Sequence, residues 1–93
     1  MQIDDTSVLC LSQKCLMTEV SGDTVLMNID SSVYYGLDPV GTDVIKQLTK
    51  PITLTELISK LRMVYDVSEQ TLRSDLQVLL GQLIENELVQ KVA

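Results

Sequence analysis

Residues 24–39 read TVLMNIDSSVYYGLDP, and within this stretch the hydrophobic period changes from that of a strand to that of a helix. Side chains alternate from Thr24 to Ile29 and again from Ser32 to Leu37, which is the period of two typical of a β-strand. The intervening Asp30-Ser31 indicates a tight turn. Asp38-Pro39 then predicts a helix start, with Asp38 as N-cap and Pro39 at the first helical position.

Upstream of this stretch, Cys15 to Val20 is short and apolar-rich, and Ser21-Gly22-Asp23 is a turn signal. The three strands therefore predict an antiparallel meander. The earlier stretch Val8 to Leu11 fits either a further strand or an extended arm. We accordingly expect residues 1–14 to form an N-terminal arm or extra strand, and residues 15–93 to form one domain.

Downstream, the apolar spacing predicts three helices. The first ends at Lys50-Pro51, and Thr53-Leu54-Thr55-Glu56 fits a capping box that starts the second. Ser68 is the predicted N-cap of the third helix, which runs from Glu69 to about Glu85. The order β-β-β-α-α-α is the outline of an α+β fold, a winged helix-turn-helix.

The composition predicts a packed core without catalytic groups. The chain has 15 Leu, 11 Val and 6 Ile, far more than a disordered chain carries. It has no His, so it lacks a Ser-His or Cys-His pair and an imidazole metal ligand. We interpret Cys10 and Cys15 as small buried hydrophobic residues, with a redox or disulfide role as the alternative. No enzyme activity, metal or cofactor is expected.

The charge disfavours nucleic acid and membranes as partners. The net charge is −6, and Arg73 is the only basic residue between Ser68 and Glu87, where a DNA-recognition helix would lie. The longest apolar run, Val8 to Leu11, is far too short to span a bilayer. The acidic N-terminus is unlike the basic start of a signal peptide, so we expect a cytoplasmic protein.

The run from Val25 to Gly41 resembles the PqqD-like family, in which an apolar strand, an acidic turn and an aromatic-containing strand precede a helix with an internal Gly. The resemblance covers roughly residues 11–90. Within the family, the chain is similar to the stand-alone lasso-peptide recognition proteins, which are the discrete N-terminal half of a split B protein. Three positions depart from the family pattern. Asp38 stands where Asn is usual, Ser32 replaces the usual turn Gly, and Glu87 replaces the Gly before Leu-Val.

The resemblance implies a non-catalytic recognition element for a ribosomally synthesised and post-translationally modified peptide (RiPP). Such domains bind the leader segment of the precursor by β-strand addition to the third strand, in a groove against the third helix. They present it to a leader peptidase, and an ATP-dependent cyclase acts afterwards. The alternatives are a PqqD-type peptide chaperone for another modifying enzyme and a winged-helix protein–protein interaction subunit.

The residues themselves are compatible with such a site. The third strand has no Lys, Arg, Asp, Glu or Pro, the residues that usually prevent further pairing at a sheet edge. A covered central strand would have the same composition. On the third helix Val78 lies off the leucine stripe, either as an ordinary exposed residue or as part of a groove wall above Leu79. An open edge allows a monomer or an edge-paired dimer. The candidate peptide-binding residues are Ser32, Val33, Tyr34, Tyr35, Gly36, Leu37, Thr71, Asp75, Val78, Leu79 and Gln82.

Overall fold

The computed structural model describes residues 3–21 and 23–92. Its strands are β1 (Val8–Leu11), β2 (Cys15–Val20), β3 (Asp23–Asn28), β4 (Tyr34–Leu37), β5 (Ile52–Thr53) and β6 (Val89–Lys91). Its helices are α1 (Pro39–Gln47), α2 (Leu54–Arg62) and α3 (Glu69–Glu85). The predicted α+β winged helix-turn-helix with a three-stranded meander and three helices is confirmed.

The six strands form two separate antiparallel sheets. One is the predicted meander, in the order β2-β3-β4, and the other has the order β5-β1-β6. The second sheet was not predicted, because β5 and β6 are only two and three residues long and show no measurable alternation. The stretch Val8–Leu11 is the central strand of that sheet, and its Leu9 is fully buried.

The helices cover one face of the meander, which we call the inner face. Thr24, Leu26 and Asn28 of β3 point to this face and are buried, as is Leu37 of β4. Most of the hydrophobic core comes from the helices and the second sheet. The buried residues of α3 are Leu72, Leu76, Leu80 and Leu83, with Leu79 and Ile84 partly buried beside them.

The turn between β3 and β4 is longer than predicted. The strand expected from Ser32 begins only at Tyr34, because Ser32 adopts a left-handed conformation with φ of 60°. Glu87, after α3, is also left-handed, with φ of 57°. These are two of the positions where the family pattern has Gly, the residue that adopts this conformation without steric cost. Ser21 has φ of 52°, while Gly22 of the same predicted turn lies outside the described residues.

Each helix begins at the predicted cap. Asp38 Oδ1 accepts from the Gly41 amide at 2.7 Å, Thr53 Oγ1 from Glu56 at 3.1 Å, and Ser68 Oγ from Thr71 at 3.1 Å. Such caps satisfy amides that have no partner within the helix. The helical apolar spacing of Leu57, Ile58 and Leu61 continues to Val64 or Tyr65, but the second helix already ends at Arg62.

Asn28 connects the β3–β4 turn to the end of α3. Its side chain is fully buried. Its Nδ2 donates to the carbonyls of Asn86 at 3.1 Å and Glu87 at 3.4 Å, and its Oδ1 accepts from the amides of Asp30 at 2.9 Å and Ser31 at 3.1 Å. A single side chain thus satisfies backbone groups of two segments that are far apart in sequence.

We expect Asn28→Ala to lower the free energy of unfolding by about 1–3 kcal/mol, because buried backbone groups would lose their partner. Urea denaturation would measure the change. The matched control is Asn86→Ala, whose side chain makes one exposed hydrogen bond, to the Gln82 carbonyl, and whose cost should be clearly smaller. Equal costs for the two variants would show that the buried Asn28 bonds contribute little.

Candidate functional site

Strand β4 lies at an edge of the meander. Among the described residues it pairs with β3 alone, in the register that places Leu26 opposite Tyr35 and Val25 opposite Gly36. The open edge predicted for this strand is therefore present. It is the feature from which the rest of the candidate site follows.

Two hydrogen bonds fix which backbone groups of β4 point outward. The Asn28 amide donates to the Val33 carbonyl at 2.9 Å, on the β4 side of β3, and the Ile29 amide donates to Lys14 at 2.9 Å, on the β2 side. Along an antiparallel ladder, residue pairs that exchange hydrogen bonds alternate with pairs that do not. Tyr35 and Leu37 therefore exchange hydrogen bonds with β3, and the amides and carbonyls of Tyr34 and Gly36 point away from the sheet.

A groove separates β4 from α3 on the inner face. Its volume is about 520 Å³. The structure brings five of the predicted residues to this groove, three from β4 and two from α3, namely Tyr35, Gly36, Leu37, Asp75 and Leu79. Leu37 is buried and Leu79 half-buried, so the floor is apolar, whereas Asp75 is exposed on the α3 wall.

Tyr35 spans the space between strand and helix. Its ring packs against the core, and its hydroxyl donates to Oε1 of Gln82 on α3. This contact links two predicted site residues directly. It also shows that the hydroxyl is satisfied by the helix rather than by water alone.

The other predicted residues lie around the groove without lining it. Ser32 and Val33 belong to the turn before β4, and Tyr34 is 68% exposed with its side chain on the outer face of the sheet. Thr71 takes part in the α3 cap through Ser68. Val78 is 63% exposed, which agrees with its predicted position off the core stripe.

Three groove residues were missed by sequence reasoning: Asp38, Val40 and Gly41. Val40 shares the helical apolar spacing of Val44, Ile45 and Leu48, yet it is 42% exposed. The direct passage from β4 into α1 was the available signal, because it places the first helical turn beside the end of the strand. At Gly41 an added Cβ would lie 3.1 Å from Leu37 Cδ2 and 3.2 Å from Asp38 Oδ1, so this helix start packs tightly against the strand.

The charge at the groove is negative. Asp38 and Asp75 both line it, and Arg73 of α3 is engaged elsewhere, with Asp5 and with Glu69 at 3.7 Å. The lone basic residue of α3, the helix that would contact DNA in a DNA-binding winged helix, is thus paired with carboxylates. A carboxylate-lined groove favours a ligand that carries basic or amide donors over one that carries phosphate.

The described residues include few other chemically reactive groups. Cys10 and Cys15 are free and half-buried, and burial raises the pKa of the Cys15 thiol, which disfavours the reactive thiolate. No cluster of three or more potential metal ligands occurs in residues 3–21 and 23–92. None of the helices in the described part of the chain has the length and hydrophobicity needed to cross a membrane.

Comparison with protein families matches residues 23–89, more than half of the chain, to Coenzyme PQQ synthesis protein D (PqqD). The chain belongs to the PqqD family. The family predicted from the strand–turn–strand–helix run is therefore confirmed. No curated protein sequence matches the chain.

Two solved structures share the fold of this PqqD-family chain. One is TbiB1 in complex with the TbiA(beta) leader peptide, at 25% identity and a TM-score of 0.80, covering 90% of this chain and 98% of the other. The second is a lasso peptide synthetase B1 complexed with the leader peptide, at 18% identity and a TM-score of 0.76, covering 88% of this chain and 96% of the other. The similarity extends over nearly the whole of this chain and of each of the two relatives.

The outward phase of β4 predicts a specific pattern of amide hydrogen exchange in the free protein. The Tyr34 and Gly36 amides should exchange rapidly, whereas those of Tyr35 and Leu37 should be protected by their bonds to β3. Residue-resolved exchange by NMR measures this. Protected Tyr34 and Gly36 beside unprotected Tyr35 and Leu37 would mean that the register is shifted by one residue.

Proposed function

We propose that this chain is a non-catalytic recognition domain that binds the leader segment of a ribosomally made precursor peptide and presents it to maturation enzymes, in a pathway that makes a lasso peptide. The observation that carries the proposal is the open β4 edge, with two outward amide–carbonyl pairs, next to a groove with an apolar floor. The leader-peptide complexes of the two structural relatives support it.

The edge supplies affinity that does not depend on leader sequence. An extended peptide laid along β4 can bond to the amides and carbonyls of Tyr34 and Gly36, which continues the ladder by one strand. The strand has no charged side chain and no Pro to prevent this pairing. Each backbone hydrogen bond contributes only about 0.5–1.5 kcal/mol net, so several must form together.

The groove supplies selectivity. Alternate side chains of an added strand point to the inner face, where Leu37, Leu79 and the Tyr35 ring offer an apolar floor. The carboxylate of Asp75 stands on the helix wall and can accept from a basic leader residue. Val78 and Gln82, on the same side of α3, extend this wall to leader residues at the ends of the strand.

The chain contributes binding rather than chemistry to maturation. It has no His, so neither of its two free cysteines has an imidazole base to activate it. Holding the precursor near a leader peptidase, and leaving the core for a cyclase that acts afterwards, raises the effective substrate concentration without a new catalytic group.

Gly36→Pro should weaken leader binding at least tenfold while leaving the fold intact. The substitution removes the outward amide and places a ring where the added strand must approach, but it breaks no bond to β3. Isothermal titration with the cognate leader peptide measures the affinity, and circular dichroism checks the fold.

Gly36→Ala is the matched control for this experiment. It keeps the amide, and its Cβ would meet no atom within 4 Å. We expect it to bind leader like the wild type. If the proline variant also bound like the wild type, strand addition at β4 would be wrong.

Asp75→Asn should weaken leader binding several-fold at about 0.02 M salt and much less at about 0.5 M, because salt screens an exposed ion pair. Titrations at the two salt concentrations measure the difference. Asp66→Asn makes the same charge change outside the groove, in the α2–α3 connection, and should have a smaller effect at both. Identical salt dependence of the two variants would show that Asp75 does not contact a leader base.

A further inference from the structure

The hydroxyl of Tyr35 joins strand β4 to helix α3 through the side chain of Gln82. We call this contact the Tyr35–Gln82 bridge. Gln82 is exposed and Tyr35 is half-buried, so the bridge lies at the surface of the protein rather than in its core. It joins residues that are 47 positions apart in sequence, and it therefore depends on the packing of α3 beside β4.

The bridge bounds the groove at one end. The Tyr35 ring lines the groove together with Leu37 and Leu79, whereas Gln82 does not line it. On α3 the lining residues Leu79 and Asp75 lie about one and two helical turns before Gln82. The groove thus extends from the bridge past Leu37 to the first turn of α1.

Two side chains of an added leader strand would point to the inner face of the sheet. Directly opposite residues on paired strands place their side chains on the same face. A leader strand on β4 therefore places one inner side chain beside Leu37 and another, two residues along the leader, beside Tyr35. We call these leader positions the groove position and the bridge position.

The groove position favours a large apolar side chain. Leu37 beside it is buried, Leu79 on the helix is half-buried, and the space between them belongs to the groove of about 520 Å³. A side chain that fills this space removes its own apolar surface and that of the floor from water.

The bridge position has a different chemical environment, although it lies on the same strand and the same face. A large side chain there must break the bridge or leave the ladder, whereas a small one fits beside the bridge. Gln82 accepts through Oε1, so its Nε2 keeps two donor hydrogens, and the Tyr35 oxygen keeps its acceptor capacity. A small hydroxyl or amide side chain can bond to these groups, and an apolar one would desolvate them without replacing their bonds to water.

We propose that the Tyr35–Gln82 bridge is a specificity determinant that makes the two inner positions of the leader unlike. The position beside Tyr35 takes a small polar residue, and the position beside Leu37 takes a large apolar one. This inference rests on the proposed function and deepens it by stating the chemical class of the leader residue at the bridge position. Tyr35 and Gln82 act here by rejecting bulk.

The test is a substitution scan of the cognate leader peptide, with binding measured by fluorescence anisotropy. Each leader residue is replaced in turn by Leu and by Ser, and every peptide is titrated with the wild type, Gln82→Ala and Tyr35→Phe. Gln82→Ala removes the acceptor from an exposed position, and Tyr35→Phe removes the donor while keeping the ring against the core. The matched control is Gln70→Ala, which removes another exposed glutamine of α3 about three turns away.

We expect the wild type to show two leader positions, two residues apart, with opposite preferences. One should bind Leu at least about tenfold more tightly than Ser, and the other should prefer Ser by at least about tenfold. Both bridge variants should reduce the Ser preference to less than about threefold and keep the Leu preference, because the floor of the groove is unchanged. The control should keep both preferences. A merely structural defect would weaken all peptides alike.

Two results would overturn the inference and leave the proposed function standing. One is a Ser preference that persists at full size in both bridge variants. The other is a wild type that prefers Leu at both inner positions, which would mean that the bridge rejects nothing. A wild type that binds neither the unmodified leader nor any peptide of the scan would instead refute the proposed function itself.

Discussion

The buried Asn28 side chain is the constraint on which the geometry of the candidate site depends. It bonds the β3–β4 turn to the carbonyls that end α3, so the strand and the helix on the two sides of the groove are fixed to each other at one end. At the other end, the Asp38 cap starts α1 directly after β4. The Asn28 bonds therefore fix the β3–β4 turn to the end of α3 on one side of the groove, and the first turn of α1 lines the groove on the other side.

Strand β4 both packs against the core and presents a free edge, because successive residues point in opposite directions. Tyr35 and Leu37 face the core and bond to β3, whereas Tyr34 and Gly36 turn their backbone groups outward and their side-chain positions to the outer face. A slip of one residue would exchange these roles and expose Leu37. The same alternation places Leu37 in the groove on one face of the sheet and leaves Tyr34 exposed on the other face.

Local signals in the sequence predicted much of this architecture, and long-range contacts account for the rest. Caps and periodicity are local, which is why the starts of all three helices and the order of the meander were predictable. The second sheet was missed because its outer strands are too short for a pattern. The bond from Tyr35 to Gln82, the role of Asn28 and the place of Val40 in the groove all depend on contacts between distant segments.

An isotope-filtered NOE spectrum of the labelled chain with unlabelled leader peptide tests strand addition most directly. We expect contacts between backbone protons of the leader and those of Tyr34, Tyr35 and Gly36, together with contacts from leader side chains to Leu79 of α3. Contacts confined to the β2 edge, to the second sheet or to residues 40–65 would contradict leader binding at β4.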